Sequence, residues 1–470
     1  LSAGAQLAPG TYRLKVRAQG GSVVQEKPLS VQVVQPPSFD LSPVSPSTVT
    51  TARDPSLRTF NNTVSFTLTP QNGFQGQVNL SIVDGQGNPV PGLSLSPASV
   101  NVTGTQNFYV YVLADDTLPL SGAGKGYAVR LRASSGSIVR EQPLTVDVWT
   151  GVGTVNLNFA RVAYGNGIFV VAGGNGYDYH NRIYVYDPQT KTHRLTYDVY
   201  VLGNVCGYIN GVAYDPVHNT WVAVGAWDLI MVSTDNAQTW QVVYGAKDPN
   251  QNCSQQYGGM PLNRVRYVND RLWAWSENSE RLYFSQDGGY TWNFVPLPIP
   301  QGYVRLQIKG LTFGQGKYVA VGVLDSGSRD YPMLATSTDG SNWNVTPFTT
   351  PQTPWGAGTP SDVLYVPDWD TFVMVGDLGL LGTSPDGMNW DFRNFYNPHD
   401  YNQDVGHLTG LAYGNGAVVA GSWSGPKVLV STDGQNWRIV GTNCGASAMS
   451  VAFGGGIFAH TSGGALCTSP

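Results

Sequence analysis

The sequence predicts an all-β chain: a seven-bladed β-propeller preceded by β-sandwich modules. Two observations lead there. A Ser-x-Asp turn followed by Trp recurs five times, with its acid at Asp235, Asp287, Asp339, Asp386 and Asp433, about 47 to 52 residues apart. A fixed period in that range marks a propeller or another repeat array, because one small unit cannot bury its faces without neighbours. The second observation is a repeat at a constant offset of 115 residues, Tyr12 against Tyr127, which is the size of a sandwich domain.

The N-terminal repeat matches Tyr12 to Ala18 with Tyr127 to Ala133, Gly21 to Val24 with Gly136 to Val139, and Glu26 to Leu29 with Glu141 to Leu144. Apolar residues alternate in Tyr12 to Val16 and Leu29 to Val33, the period of a half-buried strand. Residues 1–35 therefore read as the closing strands of a sandwich. Its other strands lie before Leu1 or come from elsewhere, and Leu1 in place of Met reads as the start of a processed or partial chain. Residues 36–150 read as one complete sandwich, with strands at Thr63 to Thr67, Gln77 to Val83, Phe108 to Leu113, Ala128 to Ala133 and Leu144 to Val148.

Residues 151–470 read as the ring. Each blade opens with an apolar strand and a small turn, as in Leu411-Ala412-Tyr413-Gly414-Asn415-Gly416. First strands begin near Arg161, Gly211, Arg264, Leu311, Val363, Gly410 and Ser450. Second strands such as Trp221 to Gly225 are almost continuously apolar, which suits strands covered on both faces. The first blade replaces the recurrent turn with Asp187 to Thr192. The last blade supplies three strands of its own, and a propeller blade has four. The expected fourth is Thr154 to Asn158, which would close the ring and remove an open edge.

The recurrent turn resembles the Asp-box, or BNR-type, repeat of sialidases, sortilin-like receptors and photosystem assembly factors. Ser285, Asp287, Gly289 and Trp292 carry the full Ser-x-Asp-x-Gly-x-x-Trp pattern. Ala237 replaces its Gly, and Gly340, Gly387 and Gly434 follow their Asp directly. The turn itself accounts for the Asp residues, since their side chains can accept nearby backbone N–H groups. In the sandwich, Asn72 to Ser81, Pro91-Gly92-Leu93 and Ser96 to Val100 resemble immunoglobulin-like modules of secreted bacterial proteins. That resemblance implies a spacer or stalk and a bacterial cell-surface or extracellular setting.

Charged residues make up 12% of the chain and the net charge is -5, which does not suggest a nucleic-acid partner. No apolar run reaches the roughly 20 residues of a membrane span. Cys206, Cys253, Cys444 and Cys467 include no Cys-x-x-Cys pair, so a zinc site is not expected. The economical pairing is Cys206 with Cys253 and Cys444 with Cys467, in an oxidising compartment.

Binding is expected on the face opposite the Asp turns, where long varied loops sit on a rigid scaffold. Tyr179, Trp227, Asp228, Glu277, Asp325, Asp377, Tyr401 and Trp423 are the candidates. Rings can cover apolar sugar faces while carboxylates take hydroxyls. The expected function is a non-catalytic surface protein: a propeller head on a stalk, binding a glycan or protein, with no cofactor or metal. Two alternatives stay open. One is a structural subunit of an extracellular filament or surface layer, its neighbour joined through residues 1–35. The other is a sialidase-like glycoside hydrolase, for which Asp228, Glu277, Asp325 and Asp377 would supply the carboxylate pair. The Phe/Tyr-Arg-Ile-Pro sequence of sialidases is absent, and arginines within the ring look few and scattered.

Overall fold

The computed structural model describes the chain apart from residues 1–6, 52–61, 116, 119–125, 149, 155–156, 158–159, 176–179, 201–207, 227–228, 245–261, 277–278, 355, 398, 400–403, 443–446, 463 and 470. It divides into two compact units. One comprises residues 1–48, 63–112 and 128–145, and the other the rest. Among the described residues it is all-β, with two short 3-10 turns at Pro367–Trp369 and Asp377–Gly379.

Strands β1 (Gly10–Gly20) and β2 (Val23–Val33) pair in register as a separate two-stranded sheet, Leu14 opposite Leu29. The turn between them is set by Gly21 in the left-handed region, at φ 59°. The following strands are β3 (Ser38–Leu41), β4 (Thr48–Thr51), β5 (Thr63–Gln71), β6 (Gly76–Val83), β7 (Leu93–Ser96), β8 (Ser99–Val102), β9 (Gln106–Ala114), β10 (Tyr127–Ser135) and β11 (Ile138–Val148). They form two sheets, β4-β11-β10-β6-β8 and β3-β5-β9-β7. Alternation decides what is buried. On β5, Val64, Phe66 and Leu68 are buried while their neighbours are half-buried, and on β10 Val129, Leu131 and Ala133 are buried while Ala128 and Arg130 are exposed.

Among the described residues, the second unit holds seven four-stranded antiparallel sheets. Their inner strands are Arg161–Gly165, Ile209–Asp215, Arg264–Val268, Arg305–Gly314, Pro360–Val366, Leu408–Gly414 and Ser450–Gly454. Each packs on the next, and the last packs on the first. Apolar clusters fill the spaces between successive sheets. Val170, Ala172 and Ile183 of the first sheet meet Val212, Trp221 and Met231 of the second. Phe169, Val171 and Val162 of the first meet Ile457, Ala459 and Leu466 of the last. Second strands such as Thr220–Gly225 are buried throughout, which explains their unbroken apolar reading.

Glycines at the ends of inner strands set how closely the sheets approach. A Cβ on Gly165 would lie 2.2 Å from the ring of Tyr214, and one on Gly454 would lie 1.9 Å from the ring of Tyr164. The second contact joins the last sheet to the first. The closing strand differs from its sequence expectation. Strand β12 is Thr150–Thr154, pairing with Ala465–Ser469 with Thr150 opposite Thr468. The expected segment, Thr154 to Asn158, meets this strand at Thr154; residues 155, 156 and 158 lie outside the described residues, and Leu157, 2% exposed, joins the core between the last and first sheets.

Candidate functional site

At one end of the ring the five recurrent turns consume their own polar groups. Asp433 accepts from the backbone N–H of Gln435 at 2.8 Å and of Asn436 at 2.7 Å, and from the Asn436 amide at 2.8 Å. Ser431 Oγ donates to the same carboxylate at 3.2 Å and accepts from Gly434 N–H at 3.0 Å. The backbone and side chain of Asn436, then Gln435 N–H, hold the Asp433 carboxyl down at about 2. Asp287 repeats the pattern with Tyr290, Thr291 and Ser285, and Asp339 and Asp386 with Asn342 and Asn389. Asp187 caps the first sheet's turn by accepting from Gln189 and Thr190 N–H at 2.8 and 3.3 Å. Trp343 and Trp437 donate Nε1–H to Gly340 and Gly434 carbonyls, both at 3.1 Å. These carboxylates are turn-forming groups with their acceptor sites filled. Ala237 takes the glycine position at φ 60°, the left-handed region that normally favours glycine.

The opposite end is where inner strands begin. In an antiparallel sheet the turn between second and third strands lies at that same end. Of the sequence-derived candidates, Tyr179, Trp227, Asp228, Glu277 and Tyr401 lie outside the described residues. Asp325, Asp377 and Trp423 are described. Asp325 is paired with Arg305 at 2.9 Å and accepts from Gly327 N–H at 2.6 Å, so it is held as a local turn group. Asp377 and Trp423 are brought together through His407. Asp377 Oδ1 is 3.1 Å from His407 Nδ1, and Thr359 Oγ1 donates to its other oxygen at 2.7 Å. The His407 and Trp423 rings lie 6.1 Å apart, and Trp423 N–H donates to the His407 carbonyl at 2.7 Å. Trp423 is 54% exposed. Burial pushes the Asp377 carboxyl up, but hydrogen bonds from His407 and Thr359 outweigh it and hold the group below its ordinary range. The bond to Asp377 holds His407 above its own, against burial.

A pocket of about 320 Å³ lies among the inner strands. Its lining includes Arg161, Arg264, Arg266, Trp275 and Asp362. The arginines thus converge, contrary to their scattered look in the sequence. Arg266 Nη2 donates to both oxygens of Asp362, at 3.0 and 2.9 Å, and Nη1 to the carbonyls of Leu311 and Val363, at 3.0 and 3.2 Å. Asp362 also accepts from Val363 N–H at 2.8 Å and Leu411 N–H at 3.0 Å. The Arg266–Asp362 pair therefore ties together strands from four sheets, three of them through the buried carboxylate itself. Gly310 makes room for it, since a Cβ there would stand 2.9 Å from Asp362 Oδ1. Arg161 Nη1 donates to the Met449 carbonyl of the last sheet at 3.0 Å.

Register shifts interrupt four inner strands, at the start of three, between Ile209 and Gly211, Pro360 and Asp362, and Leu408 and Gly410, and within the fourth, between Ile308 and Gly310. A bulge re-aims the extra side chain. Here Asn210 reaches the Leu262 carbonyl at 3.2 Å and Thr409 the Met449 carbonyl at 3.1 Å, each bonding to the next sheet.

The pocket residues were within reach of the sequence. Arg161 and Arg264 occupy the same first-strand position in their repeats, where Gly211 and Gly410 stand in others. The chemistry available is charge recognition. The described lining holds three arginines against one carboxylate, and that carboxylate is engaged at both oxygens. Among the described residues no group of three or more His, Cys, Asp or Glu could hold a metal ion, and no helix is long and apolar enough to cross a membrane. Cys467 is buried and is not a free thiol, whereas Cys206, Cys253 and Cys444 lie outside the described residues.

A Kelch motif matches residues 157–195, within the first repeat of the ring. No curated protein matches the chain. Similar solved structures include YCF48 bound to D1 peptide (TM-score 0.48, 17% identity, covering 68% of this chain and 94% of that one). YCF48 from Cyanidioschyzon merolae has TM-score 0.47 and 14% identity over 68% of this chain and 98% of its own. A chain of the mitotic checkpoint complex has TM-score 0.48 and 9% identity, covering 68% of this chain and 90% of that one. At these levels the likeness carries no functional argument. The repeats in this chain are of the propeller type.

Proposed function

We propose that this chain is a non-catalytic binding protein: a closed seven-bladed propeller of Asp-box type, carried on immunoglobulin-like modules as the head of an extracellular surface protein. Its ligand is a glycan or protein that presents negative charge to the end of the ring where inner strands begin. The observation that carries the reading is the pocket lining, three arginines against a single carboxylate. An excess of like charge in a concave, poorly solvated site concentrates ligands of opposite sign. Arginine also forms two parallel bonds to a carboxylate or phosphate. Asp377, His407 and Trp423 add a second group of polar and aromatic side chains at the same end.

The non-catalytic part rests on Asp362. Glycoside hydrolysis through carboxylates needs two of them, one free to move a proton. Asp362 has Arg266 and two backbone N–H groups on its oxygens. The setting outside the cell rests on the low charged fraction, the stalk-like module and the proposed pairing of Cys206 with Cys253 and Cys444 with Cys467.

An array of acidic and neutral glycans together with acidic peptides tests this reading. Binding to acidic probes is expected, reduced at least tenfold in Arg161→Gln and in Arg264→Gln. Preference for neutral probes, or turnover of a glycoside that Asp362→Asn abolishes without unfolding, would overturn it.

A further inference from the structure

Two places at the end where inner strands begin differ in charge. The pocket lining holds three arginines against Asp362. Around Trp423 the signs balance: the charges of Asp377 and Asp404 act on His407, and those of His407 and Lys309 act on Asp377. Asp377 and His407 are both half-exposed, so polar atoms of each can meet a ligand. Trp423 is the only exposed tryptophan among the described residues. Its backbone is held in place. The N–H donates to the His407 carbonyl at 2.7 Å, and the carbonyl accepts from Ser447 Oγ. The imidazole of His407 is tilted 55° from the indole, so it does not lie flat over that ring. Asp377 is fixed in turn by Thr359, whose Oγ1 donates to its carboxylate and whose carbonyl accepts its N–H at 2.8 Å.

Both sides of this group lie a short step along the chain from the pocket. His407 precedes the lining residue Gly410 by three residues, and Thr359 precedes Asp362 by three. Three residues of chain reach at most about 11 Å. A single sugar ring is smaller than that reach, whereas a short oligosaccharide can cover it.

We propose that Trp423, His407 and Asp377 form a second subsite, for an uncharged pyranose of an acidic oligosaccharide whose anionic unit enters the arginine pocket. This rests on the reading of that pocket as an anion site and deepens it, by choosing a glycan over a protein. The indole covers the apolar face of the sugar, and Asp377 and His407 exchange hydrogen bonds with its hydroxyls. The balanced charge around Trp423 matches a unit that carries none. The N–H and carbonyl of Trp423 and the N–H of Asp377 are already bonded within the protein, so they are not free to pair with an extended peptide as strand addition requires. Groups fixed beforehand also lose little freedom when a ligand arrives.

Titration calorimetry of the full chain compares glucuronic acid alone with a panel of trisaccharides that join one glucuronic acid to two neutral hexoses in different linkages. The best trisaccharide should bind about tenfold tighter than the monosaccharide. Trp423→Ala should remove most of that advantage, and Trp423→Phe, which keeps an aromatic face, should restore part of it. Arg161→Gln should weaken both ligands. If Arg161→Gln weakens both while the trisaccharide has no advantage, or keeps its advantage in Trp423→Ala, the second subsite is overturned and the anion pocket stands. If an acidic peptide rather than any glycan shows the Trp423-dependent gain, the choice of glycan is overturned. If no acidic probe binds, the reading of the pocket fails and the second subsite fails with it.

Discussion

The two ends of the ring place their charged groups in opposite ways. At the turn end every described recurrent Asp is ringed by donors from its own turn, within four residues. At the other end charged groups reach across sheets, as Arg266 does to Asp362 over 96 residues. The first arrangement shapes each sheet separately. The second depends on the whole ring: Arg161, Arg264, Arg266 and Asp362 line one pocket among the inner strands, and His407 and the exposed Trp423 stand where inner strands begin. Self-sufficient turns shape each sheet, whereas long-range bonds such as Arg266 to Asp362 tie the sheets together around a pocket.

The largest effect is expected where convergence and stability coincide. Asp362→Ala removes the acceptor for Arg266, Val363 and Leu411 and leaves a guanidinium largely inside the protein. Breaking such a pair costs roughly 3 to 5 kcal/mol. Denaturant unfolding should show a loss of that order. A loss under about 1 kcal/mol would mean that Asp362 does not tie the sheets together.

Trp343, 8% exposed, fills the space under its turn. Trp343→Ala should cost roughly 3 to 5 kcal/mol, as for a buried aromatic side chain. Trp423→Ala, at 54% exposure, should leave the melting temperature nearly unchanged and reduce ligand binding. Equal destabilisation by both would erase the distinction between scaffold and site.

A turn carboxylate should matter less and show its own pH signature. Asp433→Ala should cost roughly 0.5 to 1.5 kcal/mol, since the exposed N–H groups it leaves can turn to water. The folded-state value of about 2 lies below the unfolded value near 3.9. A depressed carboxyl contributes stability that is present above the unfolded value and lost as pH falls through the folded one. Wild type should therefore lose this contribution between about pH 4 and pH 2, and Asp433→Asn should lack that part of the acid transition.

The smallest effect concerns the other end. His407 is held above its ordinary value by Asp377, so its contribution is present below the unfolded value near 6.5 and fades as pH rises through the folded one. Asp377→Asn should lower the His407 titration midpoint in an NMR titration and alter stability only slightly, because both groups are half-exposed and solvent screens the pair. An unmoved midpoint would show that the pair is not coupled.

The contrast between the ends also explains what the sequence disclosed. The Asp turns were legible because Ser431, Asp433, Gly434 and Trp437 complete their geometry within seven residues. The strands before the ring were legible because alternation survives in Val64, Phe66 and Leu68. The closing strand begins earlier than its sequence expectation, at Thr150, and Leu157 serves the core. The pocket was missed although Arg161, Arg264 and Asp362 share one first-strand position, because that position brings them together only when the ring closes. Asp377 and Trp423 were found from their turns, while their link through His407 needed the fold.

The most direct measurement is the affinity of the strongest acidic probe for variants at both ends, at low and high salt. Arg161→Gln and Arg264→Gln should each weaken binding at least tenfold and flatten its salt dependence, while Asp433→Asn binds like wild type below its melting temperature. Equal affinity across all four proteins, or loss confined to Asp433→Asn, would contradict the assignment of binding to the end where the arginines converge.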